Sequence, residues 1–245
     1  MRKTPLILHQ IWYQGLDHIA EPYKRCFATV LEGLEGTGWQ HMFWDKERIE
    51  KLISDNYPQY WQLYNFFPNL IQKLDISRYI ILHYHGGCYL DMDVAWLKDF
   101  SVLIDNDDEL IVSNTMQRFI NNGTLISSPK NEFWLDFLND INDKKVKRFY
   151  YDTFLYVQLT TGPLSFNNFV KNNRRKYKIK ILDFHYLEPC KSKYNSAVTD
   201  KAFLINYYGN SWINPIYGYF IYIYSYYKYF SVAVLLILII ALFVF

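Results

Sequence analysis

The chain has 245 residues, a formal net charge of +2, and is 51% hydrophobic and 20% aromatic. That apolar share excludes a disordered chain and supplies the core of one large domain, while the near balance of charge excludes an overall field that draws it to nucleic acid. Cys26, Cys88 and Cys190 are too widely spaced for a CxxC framework and fit a reducing compartment.

The opening MRKTPLILHQIWYQG has a basic start, but His9 and Gln10 break its apolar run, so no secretory signal is expected. Residues 6–12, LILHQIW, read as a buried first strand and residues 39–45, WQHMFWD, as a second. In KERIEKLISD the apolar residues Ile49, Leu52 and Ile53 stand at helical spacing, and strand followed by helix points to a parallel sheet. Residues 69–85, NLIQKLDISRYIILHYH, are apolar on nearly every face, as in a helix buried between layers, and Gly86-Gly87 stops it. His83 and His85 are explained by favourable placement at the C-terminus of that helix. His9 and His41 read as core or surface residues. Strands are expected at 109–114, 124–127 and 178–184, and helices at 131–143 and 164–172.

Two basic runs, KKVKR (144–148) and KNNRRKYKIK (171–180), read first as solvated faces, with contact between Arg174, Arg175 and anionic headgroups as the alternative. Residues 230–245, FSVAVLLILIIALFVF, carry no charge and follow the tyrosine-rich YGYFIYIYSYYKY. The run is apolar all round and, with the tyrosines as an interfacial belt, reads as a C-terminal transmembrane helix. The expected organisation is a catalytic domain over 1–215 on the cytosolic side, and a juxtamembrane segment with a single-pass membrane anchor over 216–245. The sequon Asn122-Gly123-Thr124 is then left unmodified.

The chemistry centres on GGCYLDMDV, residues 86–94. Read as one extended strand, it alternates so that Tyr89, Asp91 and Asp93 share a face opposite Leu90, Met92 and Val94. Two carboxylates so close repel unless a cation lies between them, and oxygen-only ligation selects a hard divalent ion such as Mn²⁺ or Mg²⁺. A glycoside-hydrolase acid/base pair is excluded, because those groups must flank the scissile bond. A calcium loop is excluded because DMDVAW lacks the third acid and the turn glycine. Asp75 and Arg78 stand three apart on one face of the buried helix. They form either a structural ion pair or a pair aimed at a hydroxylated ligand.

HQIW (9–12), KLDISRYIILHYHGGCYLDMDV (73–94), NGTLISSP (122–129), TGP (161–163) and NSW (210–212) occur in the order seen in the DXD-containing glycosyltransferase family. The chain resembles that family over residues 5–212. The family includes fungal Golgi mannosyltransferases acting on inositol phosphorylceramide and is distantly similar to glucosylating bacterial toxins. The resemblance implies a GT-A-like α/β fold with a mostly parallel central sheet flanked by helices. It also implies retaining transfer of a hexosyl unit, mannose favoured, from GDP-mannose or a UDP-sugar to a glycan or glycolipid acceptor.

By position, Asp91 and Asp93 match the metal-holding DXD. Asp75 and Arg78 match residues that touch the donor sugar, Gly87 and Tyr89 belong to the donor site, and Trp12 matches an aromatic near the nucleotide. Asn210, Ser211 and Trp212 resemble the late segment that closes over the diphosphate. The family's histidine just before that segment is absent from INYYGNSW. This departure keeps open the alternative of a non-catalytic, membrane-anchored sugar-nucleotide- or glycan-binding protein.

Overall fold

The structure, a computed structural model, describes residues 3–116, 118–145, 153–189 and 198–207, all within the unit Met1–Gly209. Six strands, β1 (Ile7–Ile11), β2 (Gln40–Trp44), β3 (Gly87–Leu90), β5 (Leu110–Asn114), β6 (Ile120–Ser127) and β7 (Ile179–Leu182), form a sheet in the order β2-β1-β3-β6-β5-β7. Strand β1 pairs in parallel with β2 and β3, and β5 with β7, whereas β6 runs antiparallel between β3 and β5. The expected α/β class with a mostly parallel sheet is therefore present. Alternate residues feed two cores. Tyr89, Val112 and Leu125 face one, and Cys88, Ile111 and Ile126 face the other, so the central strands are buried on both faces.

Helix α4 (Leu70–His85) forms as its apolar run dictates, and from Asp75 to His83 every residue is buried. Its neighbours include α2 (Lys46–Asn56), α3 (Trp61–Phe66) and α5 (Phe133–Lys144). It ends where the Gly86 N–H bonds the Leu82 carbonyl at 2.9 Å. Gly87 follows at φ +88°, and a Cβ there would lie 2.3 Å from the Ile7 carbonyl oxygen. The second glycine thus lets β3 leave the helix and pair at once with β1. Helix α1 (Glu21–Leu34) was not anticipated, although Pro22 in its first turn and the i, i+4 spacing of its buried Cys26 and Val30 mark it. The remaining helices are α6 (Thr153–Thr160), α7 (Pro163–Asn173) and α8 (Phe184–Leu187).

One expectation fails. Residues 87–94 are not a single strand: β3 stops at Leu90, and β4 (Val94–Trp96) pairs antiparallel with β8 (Leu204–Asn206) in a separate two-stranded sheet. The Asp91 N–H bonds the Gly123 carbonyl at 2.8 Å, and the Val94 N–H bonds back to the Asp91 carbonyl at 3.1 Å. Asp91-Met92-Asp93 is therefore a turn that carries the chain from one sheet to the other, and strand alternation does not govern its carboxylates.

Three lysines of the second basic run pair with acids of this same unit: Lys176 with Asp136, Lys178 with Asp107, and Lys180 with Asp105 and Asp108. That supports a solvated face there, while Arg174 and Arg175 stay exposed. Among the described residues no helix is long and apolar enough to cross a membrane. The anchor expected over 216–245 lies outside the described residues.

Candidate active site

The Asp91–Asp93 turn sits at the carboxyl end of β3, beside the carboxyl end of β1 and the amino end of the reversed β6. This is the edge where ligands gather in open α/β sheets. Helix α4 passes behind it. Asp75 and Arg78, one turn apart, are only 2% and 3% exposed, so each must find its partners within the protein.

Arg78 does so by reaching in several directions. One terminal nitrogen lies 3.1 Å from Asp91 Oδ1 and donates to the Asn122 carbonyl at 2.9 Å. The other lies 3.4 Å from Asp75 Oδ1, and the guanidinium rests 4.5 Å from the centre of the Tyr89 ring. The Tyr89 hydroxyl donates to Asp91 Oδ1 at 2.8 Å. Burial opposes the Arg78 charge, but Asp91, Tyr89 and Asp75 outweigh it and hold its pKa above the ordinary value. Asp75 accepts from the Asn122 amide at 3.0 Å and from the Thr161 hydroxyl at 2.8 Å. The pair is thus enclosed apart from the buried Arg78 Nε, which has no hydrogen-bond partner among the described residues, and Arg78 reaches the turn through Asp91.

Burial pushes the Asp75 carboxyl up to about 7, against the opposing pull of Arg78, Thr161 and Asn122. An acid whose folded pKa lies above its unfolded value, about 4, keeps its proton in the native state across the window between them. Its stabilising contribution is complete below about pH 4 and lost as pH rises towards 7. Wild type is therefore expected to lose stability relative to Asp75→Asn across that window. Parallel urea midpoints for the two proteins at every pH would show that Asp75 titrates alike in both states.

Asp91 Oδ1 is committed to Arg78 and Tyr89, which leaves Oδ2 for a ligand. Asp93 lines a cavity of about 400 Å³ with Tyr23, Arg25, Cys26, Thr29 and Tyr207. Two carboxylates on one tight turn, the Asp91 side chain 33% exposed, fit a hard divalent cation that takes its other ligands from a diphosphate and water. Among the described residues no group of three or more His, Cys, Asp or Glu side chains converges, so an all-protein cage is not built there. Gly123 sets the height of this turn: a Cβ on it would lie 2.6 Å from Asp91 Oδ2 and 3.3 Å from the Asn121 amide nitrogen. Gly123→Ala is expected to displace the carboxylate and weaken Mn²⁺ binding about 10-fold or more, read by calorimetry. Unchanged affinity would show that Oδ2 is not a ligand.

Trp12 follows β1 at the same edge, its ring 5.1 Å from that of Tyr23 and its indole N–H bonded to the His18 carbonyl at 2.9 Å. Gly87 is not brought to the cluster. It begins β3, four residues and about 13 Å from Asp91, and packs against Ile7. Asn210, Ser211 and Trp212 lie outside the described residues. The histidines need a different account from helix-end charge: burial lowers His83 to about 4 and also lowers His85, so His83 is neutral at pH 7. His9 is buried, lowered to about 3, and sits between the Gly86 carbonyl and the Trp44 indole. His41 meets the Gln10 side chain.

Two parts of the site escaped the sequence reading. Asn122 reads from the sequence as a sequon and as the start of the NGTLISSP stretch, with no role in the site, yet it is 3% exposed and its amide donates to Asp75 and to the Tyr79 hydroxyl. Folded protein therefore presents no acceptor for a glycan there. Glu188 is 1% exposed near the same turn, and burial pushes its carboxyl up to about 7. No spacing in the sequence links it to residue 91.

Residues 21–116 match the family model described as a glycosyltransferase sugar-binding region containing the DXD motif. The matched span holds Asp75, Arg78, Asp91 and Asp93. Over 165 residues the chain is 27% identical to inositol phosphoceramide mannosyltransferase 1 of Schizosaccharomyces pombe, covering 67% of this chain and 50% of that protein. It is 29% identical over 201 residues to an uncharacterized glycosyltransferase of Acanthamoeba polyphaga mimivirus, covering 76% of this chain and 73% of the relative. The chain thus spans half to three quarters of the length of these two relatives. The solved PaToxG glycosyltransferase superposes with a TM-score of 0.53 at 16% identity, over 69% of this chain and 70% of the other. That likeness bears out the GT-A-like α/β fold.

Proposed function

We propose that this chain, whose residues 21–116 match the model of a glycosyltransferase sugar-binding region containing the DXD motif, is a glycosyltransferase that moves a hexosyl unit from a nucleotide diphosphate sugar to an acceptor hydroxyl, with retention of configuration. The observation that carries this reading is the Asp91–Asp93 turn at the carboxyl edge of the sheet, with Arg78 pressed against Asp91 from behind. Asp91 and Asp93 would hold Mn²⁺ or Mg²⁺, which would supply Lewis-acid compensation for the charge that builds on the departing diphosphate. Arg78 and the Tyr89 hydroxyl fix the Asp91 carboxylate, and Asp75 with Asn122 fixes Arg78. The cavity beside Asp93, with the Trp12 and Tyr23 rings, receives the nucleoside.

Mannose, carried by GDP, is favoured over a UDP-sugar by the likeness to the fission-yeast mannosyltransferase. The uncharged run at 230–245 anchors the protein as a single-pass membrane protein. A site held so close to the headgroups meets membrane-displayed acceptors at high effective concentration, which favours a glycolipid over a free glycan.

The test is full-length protein in liposomes, given GDP-mannose and a panel of UDP-sugars with Mn²⁺ or Mg²⁺, on matched lipid and soluble acceptors. Metal-dependent transfer, with the anomeric configuration of the product read by NMR, supports the reading. Absence of transfer and of metal-dependent nucleotide binding across the panel overturns it. Modification of soluble acceptors alone overturns the glycolipid part.

A further inference from the structure

The turn that holds Asp91 and Asp93 spans two sheets, and each end is tied to a different strand. At the first end the Asp91 N–H bonds the Gly123 carbonyl of β6. At the second, Val94 pairs with Asn206 of β8, and the Tyr207 N–H bonds the Asp93 carbonyl at 3.0 Å. The distance between the two carboxylates therefore depends on how β6 and β8 are held with respect to each other. Backbone pairing does not set this, because β6 and β8 belong to separate sheets.

A side chain does. Glu188 Oε2 accepts the Asn206 amide at 2.9 Å and the Asn121 amide at 3.3 Å, so one carboxylate oxygen gathers a residue from each strand. Asn121 continues the connection, because its own carbonyl accepts the Asn122 N–H at 2.9 Å and its amide borders the space above Gly123 that Asp91 Oδ2 also borders. Glu188 is itself well fixed. Its N–H bonds the Phe184 carbonyl at 3.0 Å at the end of α8, and the Asn206 N–H bonds the Pro189 carbonyl at 3.1 Å. We propose that Glu188 is a positioning residue that clamps β6 to β8 and so sets the Asp91–Asp93 turn for its cation. The inference deepens, and rests on, the reading of that turn as the cation and diphosphate site.

A carboxylate that only filled space would leave metal affinity untouched when replaced, provided the fold survived. A clamp moves affinity with the hydrogen bonds it makes. The experiment is Mn²⁺ titration of the full chain with GDP or UDP, by calorimetry and by the Mn²⁺ EPR signal, for wild type, Glu188→Ala, Glu188→Gln and Asn206→Ala. Thermal melts accompany each variant. Glu188→Ala is expected to weaken Mn²⁺ binding about 10-fold, whereas Glu188→Gln, whose side-chain oxygen still accepts both amides, stays near wild type. Asn206→Ala removes the β8 arm and leaves the backbone pairing with Val94 in place, so it gives the answer if Glu188→Ala does not fold. Wild-type affinity in Asn206→Ala, or in a folded Glu188→Ala, overturns the clamp. So does a loss in Glu188→Gln as large as that in Glu188→Ala. Failure of wild type itself to bind Mn²⁺ would instead sink the proposed function, so the two failures are told apart.

Discussion

Asp93→Asn is expected to abolish metal-dependent nucleotide-sugar binding and to lower transfer about 100-fold or more, the scale of losing one preorganised electrostatic contact to developing charge. The substitution keeps the shape of the side chain and removes its charge at the wall of the cavity beside the turn. Asp91→Asn is expected to lose as much activity but to be less clean. Its carboxylate also neutralises Arg78 at 3.1 Å and accepts the Tyr89 hydroxyl, so an amide there leaves a buried guanidinium with less compensation. Melting curves beside Mn²⁺ and nucleotide titrations separate loss of metal binding from loss of fold in the two variants. Wild-type metal affinity in Asp93→Asn would remove the second carboxylate from the site.

The largest effect on the fold is expected from Arg78→Met. Arg78 lies within reach of Asp75, Asp91 and the Asn122 carbonyl, and is 3% exposed. A methionine of similar volume leaves the Asn122 carbonyl without its donor and Asp91 and Asp75 without their cation, and removal of one partner from a buried pair costs up to about 3–5 kcal/mol, less the part that Asp75 recovers by taking up a proton. For a unit of this size that corresponds to a fall in Tm of about 10 °C. Arg78→Lys is expected to restore part of that stability but not the geometry, because a single ammonium cannot span three acceptors as the planar fork does. Calorimetric scans of both variants, with and without Mn²⁺ and GDP, test this. A methionine variant as stable as wild type would mean that proton uptake by Asp75 offsets the whole loss of the guanidinium.

How the site is built decides which parts of it were readable. Helix α4 and the strands around it were legible because their signals are local: an apolar run on every face, stopped by paired glycines, forms a buried helix whatever its neighbours. The same locality made Asp75 and Arg78 neighbours by helical spacing, and it set Asp91 two residues from Asp93. The alternation argument for residues 87–94 failed for the complementary reason. Whether an apolar segment stays extended past Leu90 depends on a partner thirty residues on, the Gly123 carbonyl, and on a second sheet whose other strand is β8.

Composition and spacing alone thus determined the α/β class, the buried charge pair and the clustered carboxylates. Only the tertiary structure decided that the carboxylates lie on a turn between two sheets and that Arg78 spends its charge on Asp91 as well as Asp75. It also decided that Asn122 is a buried donor, not a surface acceptor, and that Glu188 bridges strands from opposite ends of the turn. Those contacts join residues far apart in the chain. They come from closing long loops around a common core, which no periodicity in the sequence encodes.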